Sequence, residues 1–334
     1  MRRIVILGST GSIGTQALDV IRAHPDEFKV IGLSAHLNSE LFEKQTREFE
    51  PRHVALTGMS ENPAQVLETL ASLPEADLVL NALSGSHGLA PTLAACRYGK
   101  VLALANKESI VMAGELVMQI ARSSGAKILP VDSEPSALWQ MLRTPIPAPA
   151  GYGVNATEHI EKIILTASGG PFWKWKKEEL SRVTAAQALN HPTWKMGEKV
   201  SIDSATLMNK AFEIIETHWL FDVPARLIDV VIHRQSLVHS FVQFTDGNMQ
   251  AVLSPPDMRI PIAHALFYPT RAKRVSSIKL LDPSDLQMTF EKPDYSILEG
   301  PRLAYEVLEA GGIMPAVFCV ADEIAVSKFL KGEI

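Results

Sequence analysis

The sequence predicts an α/β protein. Its N-terminal part is expected to be a Rossmann-like, doubly wound parallel sheet. Short apolar runs without alternation, typical of strands buried on both faces, are separated there by helix-period segments. The runs cover residues 4–7, 30–33, 54–56, 78–83, 101–105 and 128–131, and the helical segments include residues 13–23 and 89–98. A chain of 334 residues also favours more than one domain.

The second part of the chain has a different pattern. "TPIPAPAGYG", residues 144–153, is rich in Pro and Gly and predicts a linker. After it come a strand at 162–168, a long helix at 204–220, and a hairpin that turns at Asp246 and Gly247. We therefore expect a first domain at 1–144, an α+β domain at 145–268 concerned with catalysis and dimerisation, a linker at 269–293, and the start of a helical domain at 294–334.

Composition excludes several classes of protein. The net charge of -5 gives no basic surface for nucleic acid. Cys96 and Cys319 form no C-x-x-C pair, so neither a disulfide framework nor a zinc ribbon is indicated. No apolar run reaches the ~18 residues of a membrane span, and the first run is too short for a signal-peptide core. These features predict a soluble, unprocessed cytoplasmic protein that binds small molecules or copies of itself.

A glycine-rich loop follows the first predicted strand. "GSTGSIG" places Gly8, Gly11 and Gly14 before the helix that starts near Ser12. Such a loop lets the backbone approach a pyrophosphate and directs a helix N-terminus at it. The alternative is a turn that only packs closely.

The end of the second predicted strand indicates which nucleotide is preferred. "IGLSAHLN" contains no acidic residue for an NAD ribose, whereas Ser34, His36 and Asn38 can donate hydrogen bonds to a 2'-phosphate. This favours NADP, although His36 could equally be a solvated loop residue.

Two carboxylates follow the sixth predicted strand in "PVDSEPSALWQ". If the chain is extended there, Asp132 and Glu134 point the same way, and Pro135 keeps Glu134 out of the helical region. Converging carboxylates suit Mg²⁺ or Mn²⁺. The alternative is that they only cap the next helix.

A third carboxylate lies on the predicted long helix. Asn209, Lys210 and Glu213 share one face of it, and Ser204 near its start could bind an anion together with backbone amides. A Lys–Glu pair of this kind is ordinarily a surface ion pair. The apolar residues around this one favour a cleft instead.

Three further segments carry candidate residues. The loop at Ser168, Gly169 and Gly170 either exposes amides to phosphate or is a plain turn. "NHPTWKMG" predicts a mobile lid at 187–198. Lys107, at the end of a strand, could polarise a carbonyl or hydroxyl group.

Taken together, "GSTGSIG", "LANKES", "VDSE", "SGGPF", "HPTWKMG", "SIDSATLMNKAFE" and "IHRQSLVHS" resemble 1-deoxy-D-xylulose 5-phosphate reductoisomerase, in order from residue 4 to about residue 330. The resemblance implies an NADPH-dependent enzyme that rearranges and reduces 1-deoxy-D-xylulose 5-phosphate to 2-C-methyl-D-erythritol 4-phosphate, in non-mevalonate isoprenoid synthesis. It also implies a homodimer that uses Mg²⁺ or Mn²⁺, with Co²⁺ as a further candidate.

The resemblance also implies residue roles. The metal ligands are Asp132, Glu134 and Glu213. The catalytic residues are Lys107, Glu134 and His191. The substrate contacts are Ser133, Glu134, Ser168, His191, Ser204, Asn209, Lys210 and Glu213. The cofactor contacts are Thr10, Gly11, Ser12, Ile13, His36, Asn38, Asn106, Lys107, Glu108 and Gly197. In addition, Trp194 and Met196 fall on the lid, and His239 lies near the substrate.

The chain departs from the family pattern at several points. Leu37 replaces a basic residue, Pro135 a His and Arg234 a Pro, and the family's chains continue into further helices, so an incomplete C-terminal domain is expected. One alternative is another Rossmann reductase, of the homoserine dehydrogenase or dihydrodipicolinate reductase type. The other is a catalytically impaired relative that binds nucleotide or phosphosugar.

Overall fold

The computed structural model describes residues 1–142, 158–194 and 196–334, which divide into two compact units. The first contains residues 1–136 and 257–278, and the second contains the other described residues. The predicted linker at 144–153, and with it the predicted boundary after residue 144, lies outside the described residues.

The first unit is built on a six-stranded parallel sheet in the order β3-β2-β1-β4-β5-β6. Its strands are β1 (Arg2–Leu7), β2 (Phe28–Ala35), β3 (His53–Leu56), β4 (Leu78–Asn81), β5 (Val101–Leu104) and β6 (Lys127–Pro130). The helices along this stretch of chain are Ser12–Ala23, Glu40–Phe49, Pro63–Ala71, Leu89–Arg97, Lys107–Ser124 and Ser133–Leu142, with 3-10 turns at Thr57–Met59 and Gly85–Gly88. This topology confirms the predicted doubly wound, Rossmann-like sheet.

The central strands are uniformly apolar because helices cover both faces of the sheet. All four side chains of β1 from Ile4 to Leu7 are fully buried, as are Leu78, Val79 and Leu80 of β4. Strand order reverses between β1 and β4, and the carboxyl ends of the strands at such a reversal are the usual ligand-binding edge.

The segment Asp257–Ile278 belongs to the first unit, although the sequence placed 257–268 in the second domain and 269–278 in a linker. Its helix, Arg259–Phe267, is held there by contacts far apart in sequence. Arg2 Nη1 donates to the carbonyls of Leu266 at 2.9 Å and Tyr268 at 2.6 Å, and Phe28 meets Phe267 edge to face at 4.8 Å. The local sequence pattern does not indicate that the chain comes back to the first unit at this segment.

The second unit contains a four-stranded mixed sheet in the order β10-β9-β7-β8. Its strands are β7 (Ile160–Ala167), β8 (Ile228–Ile232), β9 (Val238–Phe244) and β10 (Met249–Leu253). Its helices are Lys177–Leu180, Ala185–Leu189, Glu198–Ala205, Met208–Phe221, Gly300–Ala310 and Met314–Leu330, with 3-10 turns at Ala225–Leu227 and Pro283–Asp285. The predicted α+β fold, the hairpin with Gly247 at φ +89°, and the helical C-terminal part are confirmed.

The predicted continuous helix at 204–220 is wrong, because it is two helices, Glu198–Ala205 and Met208–Phe221. The Thr206 hydroxyl donates to the Asp203 carbonyl at 3.2 Å and so competes with the helical hydrogen bonds. Leu207 then adopts a left-handed conformation at φ +59°. Ser204 therefore lies in the last turn of one helix and not in the first turn of the next.

Both cysteines are buried free thiols, and burial raises the pKa of Cys96 to about 12. Among the described residues, no helix is both long and apolar enough to cross a membrane.

Candidate functional site

The glycine loop after β1 is closely packed and needs its glycines. Gly8 has φ +82°, and a Cβ on Gly14 would lie 2.3 Å from the Gly8 carbonyl oxygen. Gly11 caps the helix Ser12–Ala23 without any side-chain hydrogen bond to the first turn. The first-turn amides near Ser12 and Ile13 can thus serve an anion, so the loop fits a dinucleotide pyrophosphate.

The loop after β2 agrees only in part with the sequence prediction. Ser34 is fully buried and its hydroxyl accepts the Gly8 amide at 3.1 Å, so the expectation that it contacts a 2'-phosphate is wrong. His36 Nδ1 lies 3.2 Å from Thr57 Oγ1, and Asn38 Nδ2 donates to Glu43 Oε1 at 3.2 Å. The sequence did not single out Glu43.

The end of β5 is fixed by the buried side chain of Asn106. Its Oδ1 accepts the Ser109 amide at 3.1 Å and caps the helix Lys107–Ser124, while its Nδ2 donates to Glu108 Oε2 at 3.0 Å. This cap places Lys107 in the first turn, where its ammonium donates to Asp132.

Asp132 and Glu134 flank the start of the helix Ser133–Leu142. Asp132 Oδ1 accepts the amide of Ser133, the first residue of this helix, at 2.9 Å, and Asp132 is also the partner of Lys107. Ser133 Oγ donates to Glu134 Oε2 at 2.7 Å. The expectation of an extended chain here is wrong, because Glu134 is the second residue of the helix. Pro135 is tolerated in the first turn, since the amide that proline lacks would have no helical partner there.

The two carboxylates nevertheless converge, with one oxygen of Asp132 within 4.8 Å of one of Glu134. The Lys107 ammonium beside Asp132 shows that this place already accommodates a positive charge. All-oxygen ligands at such a spacing fit a hard divalent cation such as Mg²⁺ or Mn²⁺.

In the second unit, the loop after β7 lies against Ser204. Gly169 and Gly170 have φ values of +83° and +66°, and the Gly170 amide donates to Ser168 Oγ at 3.3 Å. A Cβ on Gly170 would lie 2.4 Å from the Ser204 carbonyl oxygen. The fold thus brings together two of the serines that the sequence assigned to an anion site.

His191 is held in one tautomer. Its Nδ1 accepts the amides of Thr193 at 3.1 Å and Trp194 at 2.9 Å, so Nε2 carries the proton and donates to Ser168 Oγ at 2.9 Å. Burial, and to a lesser degree the charge of Arg234, lower the pKa of His191 to about 4. At neutral pH it is therefore a neutral N–H donor.

The predicted polar face of the second-unit helix Met208–Phe221 is present. Asn209 Nδ2 donates to Glu213 Oε1 at 2.6 Å, and the Lys210 ammonium donates to Glu213 Oε2. Lys210 and Glu213 are almost completely buried, so this is not the solvated surface pair considered as the alternative.

The predicted lid contacts the second sheet. Trp194 meets His239 edge to face at 6.3 Å between ring centroids, and His239 Nε2 lies 2.9 Å from Ser254 Oγ. Thr193 Oγ1 donates to the Arg234 carbonyl at 3.3 Å. Met196 and Gly197 follow, with Gly197 capping the helix Glu198–Ala205.

Sequence reasoning missed a buried charge cluster next to this segment. Lys199 Nζ donates to Asp203 Oδ2 at 2.6 Å and to Asp322 Oδ2 at 2.8 Å. The i, i+4 spacing of Lys199 and Asp203 was a usable signal, but nothing local points to Asp322, which is 123 residues away.

Comparison with known families covers most of the chain. A 1-deoxy-D-xylulose 5-phosphate reductoisomerase model matches residues 4–65 and 62–114. A model of the C-terminal domain of the same enzyme matches residues 128–221, and a DXP reductoisomerase C-terminal domain model matches residues 253–334.

Individual relatives agree with these matches. The 1-deoxy-D-xylulose 5-phosphate reductoisomerases of Thermoanaerobacter pseudethanolicus and Thermodesulfovibrio yellowstonii are each 48% identical, covering all of this chain and 88% of their own length. A crystal structure of DOX-P reductoisomerase with NADPH, fosmidomycin and magnesium superimposes with a TM-score of 0.91 at 39% identity, over the whole chain and 86% of the other. The Zymomonas mobilis enzyme with NADPH gives 0.87 at 38% identity, over the whole chain and 88% of the other. The chain belongs to the 1-deoxy-D-xylulose 5-phosphate reductoisomerase family.

Proposed function

We propose that this chain performs the family's reaction, converting 1-deoxy-D-xylulose 5-phosphate to 2-C-methyl-D-erythritol 4-phosphate with NADPH and a divalent metal ion. The observation that carries the proposal is the arrangement of Asp132, Glu134 and Lys107 at the carboxyl edge of the sheet whose first loop is the glycine loop. A sheet with these two features can hold a dinucleotide and a cation at one edge. A protein that only binds nucleotide has no need of the second feature.

The cofactor residues have distinct tasks in this proposal. The loop from Thr10 to Ile13 binds the pyrophosphate through amides, because Gly8 and Gly14 leave room for close approach of the backbone. Asn106 fixes the turn that carries Lys107 and Glu108 beside the nicotinamide half. When bound, NADPH supplies the hydride for the reduction.

Asp132, Glu134 and Glu213 are the proposed metal ligands. Asp132 and Glu134 converge within the first unit, and Glu213 of the second unit is held by two donors that orient its carboxylate. A bound divalent ion polarises the substrate carbonyl and stabilises negative charge on its oxygen atoms. Lys107 and Ser133, which each contact one of these carboxylates, are positioned to bind the substrate's oxygen atoms.

The substrate phosphate is assigned to the second unit. Ser168 and Ser204 lie on adjoining segments, and Asn209 and Lys210 add an amide and an ammonium donor. Donors fixed in advance bind a remote phosphate, and that binding energy serves to orient the reacting end.

His191 acts in this proposal as a donor and not as a proton carrier. Its Nε2–H directs a hydrogen bond at Ser168 Oγ, and the two amides on Nδ1 keep that tautomer in place. Closure of residues 187–198 over the substrate, with Trp194 against His239, would exclude water from the reacting carbonyl.

We further propose that the enzyme is a cytoplasmic homodimer. Its family membership and its buried free thiols, Cys96 and Cys319, support this assignment. Light scattering of the purified chain and cell fractionation test the two statements separately.

The proposed function is tested by following NADPH oxidation with 1-deoxy-D-xylulose 5-phosphate and Mg²⁺. We expect turnover that EDTA abolishes and that Glu134→Gln lowers by about 100-fold or more, because the ion contributes several kcal/mol to the barrier. Glu115→Gln, an exposed change on the helix Lys107–Ser124, is the matched control and should leave the rate unchanged.

The product is identified by mass and NMR. A folded wild-type protein that binds NADPH but gives no turnover would refute the enzymatic proposal and favour the impaired relative. Turnover that survives both EDTA and Glu134→Gln would refute the metal assignment alone.

A further inference from the structure

Arg234 places a cation beside the segment that carries His191. It lies in the turn between β8 and β9, where the Thr193 hydroxyl donates to the Arg234 carbonyl at 3.3 Å. The Thr193 amide donates to His191 Nδ1 at 3.1 Å, so a single residue connects the backbone of Arg234 with the His191 ring. The charge of Arg234 acts on that ring as well, because it is the second cause, after burial, that lowers the pKa of His191.

The guanidinium of Arg234 has no partner in the part of the chain that the structure describes. The side chain is partly buried, and no described carboxylate or carbonyl forms an ion pair or hydrogen bond with it. Taking a charged group partly out of water costs free energy that a bound anion would offset. This arginine is therefore available to an anionic ligand.

The turn that carries Arg234 is fixed by the residues on either side of it. His233 is fully buried, its Nδ1 donates to the Thr289 carbonyl at 2.9 Å, and its Nε2 accepts the Leu237 amide at 3.1 Å. Gln235 Nε2 donates to Thr289 Oγ1 at 3.0 Å. A fixed backbone reduces the entropy that is lost when the guanidinium binds a ligand.

The phosphate site assigned to the second unit contains mainly neutral donors near His191. Ser168 Oγ is neutral, and His191 Nε2–H is a neutral donor at pH 7. The Lys210 ammonium is almost completely buried and donates to Glu213, whose negative charge offsets its own. A phosphate monoester carries about −1.5 to −2 charges at pH 7, and a guanidinium can donate two parallel hydrogen bonds to it. These neutral and paired groups leave much of that charge unbalanced.

We propose that Arg234 binds the phosphate of the substrate together with Ser168 and His191, and that it determines how tightly this chain binds a phosphorylated substrate. The family pattern has Pro where this chain reads "IHRQS", so the contact is an addition made by this chain. The inference rests on the proposed function for the identity of the substrate, whereas binding of the phosphate group can be measured without turnover.

The test measures KM for 1-deoxy-D-xylulose 5-phosphate and for NADPH, at saturating Mg²⁺, in the wild type and in Arg234→Gln. We expect the substrate KM to rise about tenfold or more, and by a larger factor than kcat falls, because a charge-assisted contact is lost from the bound substrate and the transition state alike. The KM for NADPH should not change. Raising sodium chloride from about 0.05 to about 0.5 M should weaken substrate binding more in the wild type than in Arg234→Gln.

Two further variants separate the contact from net charge and from stability. Arg226→Gln removes the same charge from an exposed position two residues before β8, whereas Arg234 lies two residues after β8, so this variant should keep both wild-type KM values. Arg234→Lys keeps the charge but not the planar fork, so its substrate KM should lie between those of the wild type and Arg234→Gln. The Tm of each variant is measured in parallel, since a purely structural role would lower Tm and leave the substrate KM unchanged.

Inorganic phosphate separates this inference from the proposed function. Its dissociation constant for the metal-free protein is measured from the NMR signals of the His191 ring, and Arg234→Gln should raise that constant about fivefold or more. This result in a protein without turnover would refute the proposed function and support the phosphate contact.

Other results would overturn the inference. An unchanged substrate KM in Arg234→Gln, an equal rise in Arg226→Gln, or a rise in the KM for NADPH instead would do so while NADPH-dependent turnover continued. An unchanged dissociation constant for inorganic phosphate, in a protein without turnover, would overturn the inference and the proposed function together.

Discussion

Lys199 is predicted to be among the costliest single side chains to remove from the second unit. Its ammonium lies 2.6 Å from Asp203 Oδ2, 2.8 Å from Asp322 Oδ2 and 4.3 Å from the centre of the Phe212 ring. The side chains of Asp203 and Asp322 are 2% and 6% exposed, against 19% for Lys199. Lys199→Met keeps most of the stem and removes only the charge, so the two buried carboxylates lose their shared counter-ion.

The magnitude follows from these exposures. Removing one partner of a buried ion pair costs about 3–5 kcal/mol, and Lys199 belongs at the lower end because about a fifth of its side chain meets solvent. We therefore expect a loss of about 3 kcal/mol in the free energy of unfolding. For a unit of this size, that corresponds to a fall in Tm of roughly 6–12 °C.

The assay is thermal and urea unfolding followed by far-UV ellipticity, with Lys328→Met as the control. Lys328 is exposed on the helix Met314–Leu330, which also carries Asp322, so its replacement should change stability by less than about 0.5 kcal/mol. Adding Asp203→Asn and Asp322→Asn to Lys199→Met should recover part of the loss, because the buried charges are then gone. Equal stabilities of Lys199→Met and Lys328→Met would refute the reasoning.

Three other predictions follow from the two units. Gly14→Ala should weaken NADPH binding by about tenfold or more, measured by nucleotide fluorescence, since its Cβ would meet the Gly8 carbonyl at 2.3 Å; an unchanged affinity would contradict the packing argument. Because the pKa of His191 is about 4 in the fold and ordinarily near 6.5, the unfolded chain binds more protons between these values, so stability is present above pH ~6.5 and lost as the pH falls toward 4. His191→Asn keeps an acceptor for the two amides and should remove about 1 kcal/mol of this acid sensitivity in Tm-versus-pH profiles, whereas a profile like that of the wild type would show that another group is responsible. Mg²⁺ at a hundredfold excess over its dissociation constant should stabilise the wild type by roughly 2–3 kcal/mol but leave Glu134→Gln almost unaffected, and equal stabilisation of both would place the ion elsewhere.

The N-terminal sheet could be predicted because its signal is local. Strands buried on both faces read as uninterrupted apolar runs, and all six were found within about two residues of their observed ends. The glycine loop was equally readable, since its spacing reflects the close approach of Gly14 to Gly8.

The features that were predicted wrongly depend on single side chains or on distant contacts. Periodicity cannot show that the Thr206 hydroxyl ends one helix, or that Leu207 turns left-handed before the next. Ser34 looked available to a phosphate, but its hydroxyl is used by the Gly8 amide. The segment Asp257–Ile278 belongs to the first unit through contacts such as that of Arg2 with the Leu266 carbonyl, which lies 264 residues later in the chain.

In the candidate site, too, the sequence identified which residue types are present but not all of the pairs that they form. The sequence placed Lys210 beside Glu213 on one helix face. It did not show that Asp132 has a lysine partner as well. Lys107 comes from a different strand end than Asp132, whereas Lys210 is three residues from Glu213 on the same helix. Each carboxylate is thereby neutralised within its own unit, which makes its burial tolerable before any ion binds. Within the first unit, a divalent ion at the proposed site must share Asp132 with the Lys107 ammonium, so substituting Lys107 should change metal affinity even though Lys107 is not a ligand.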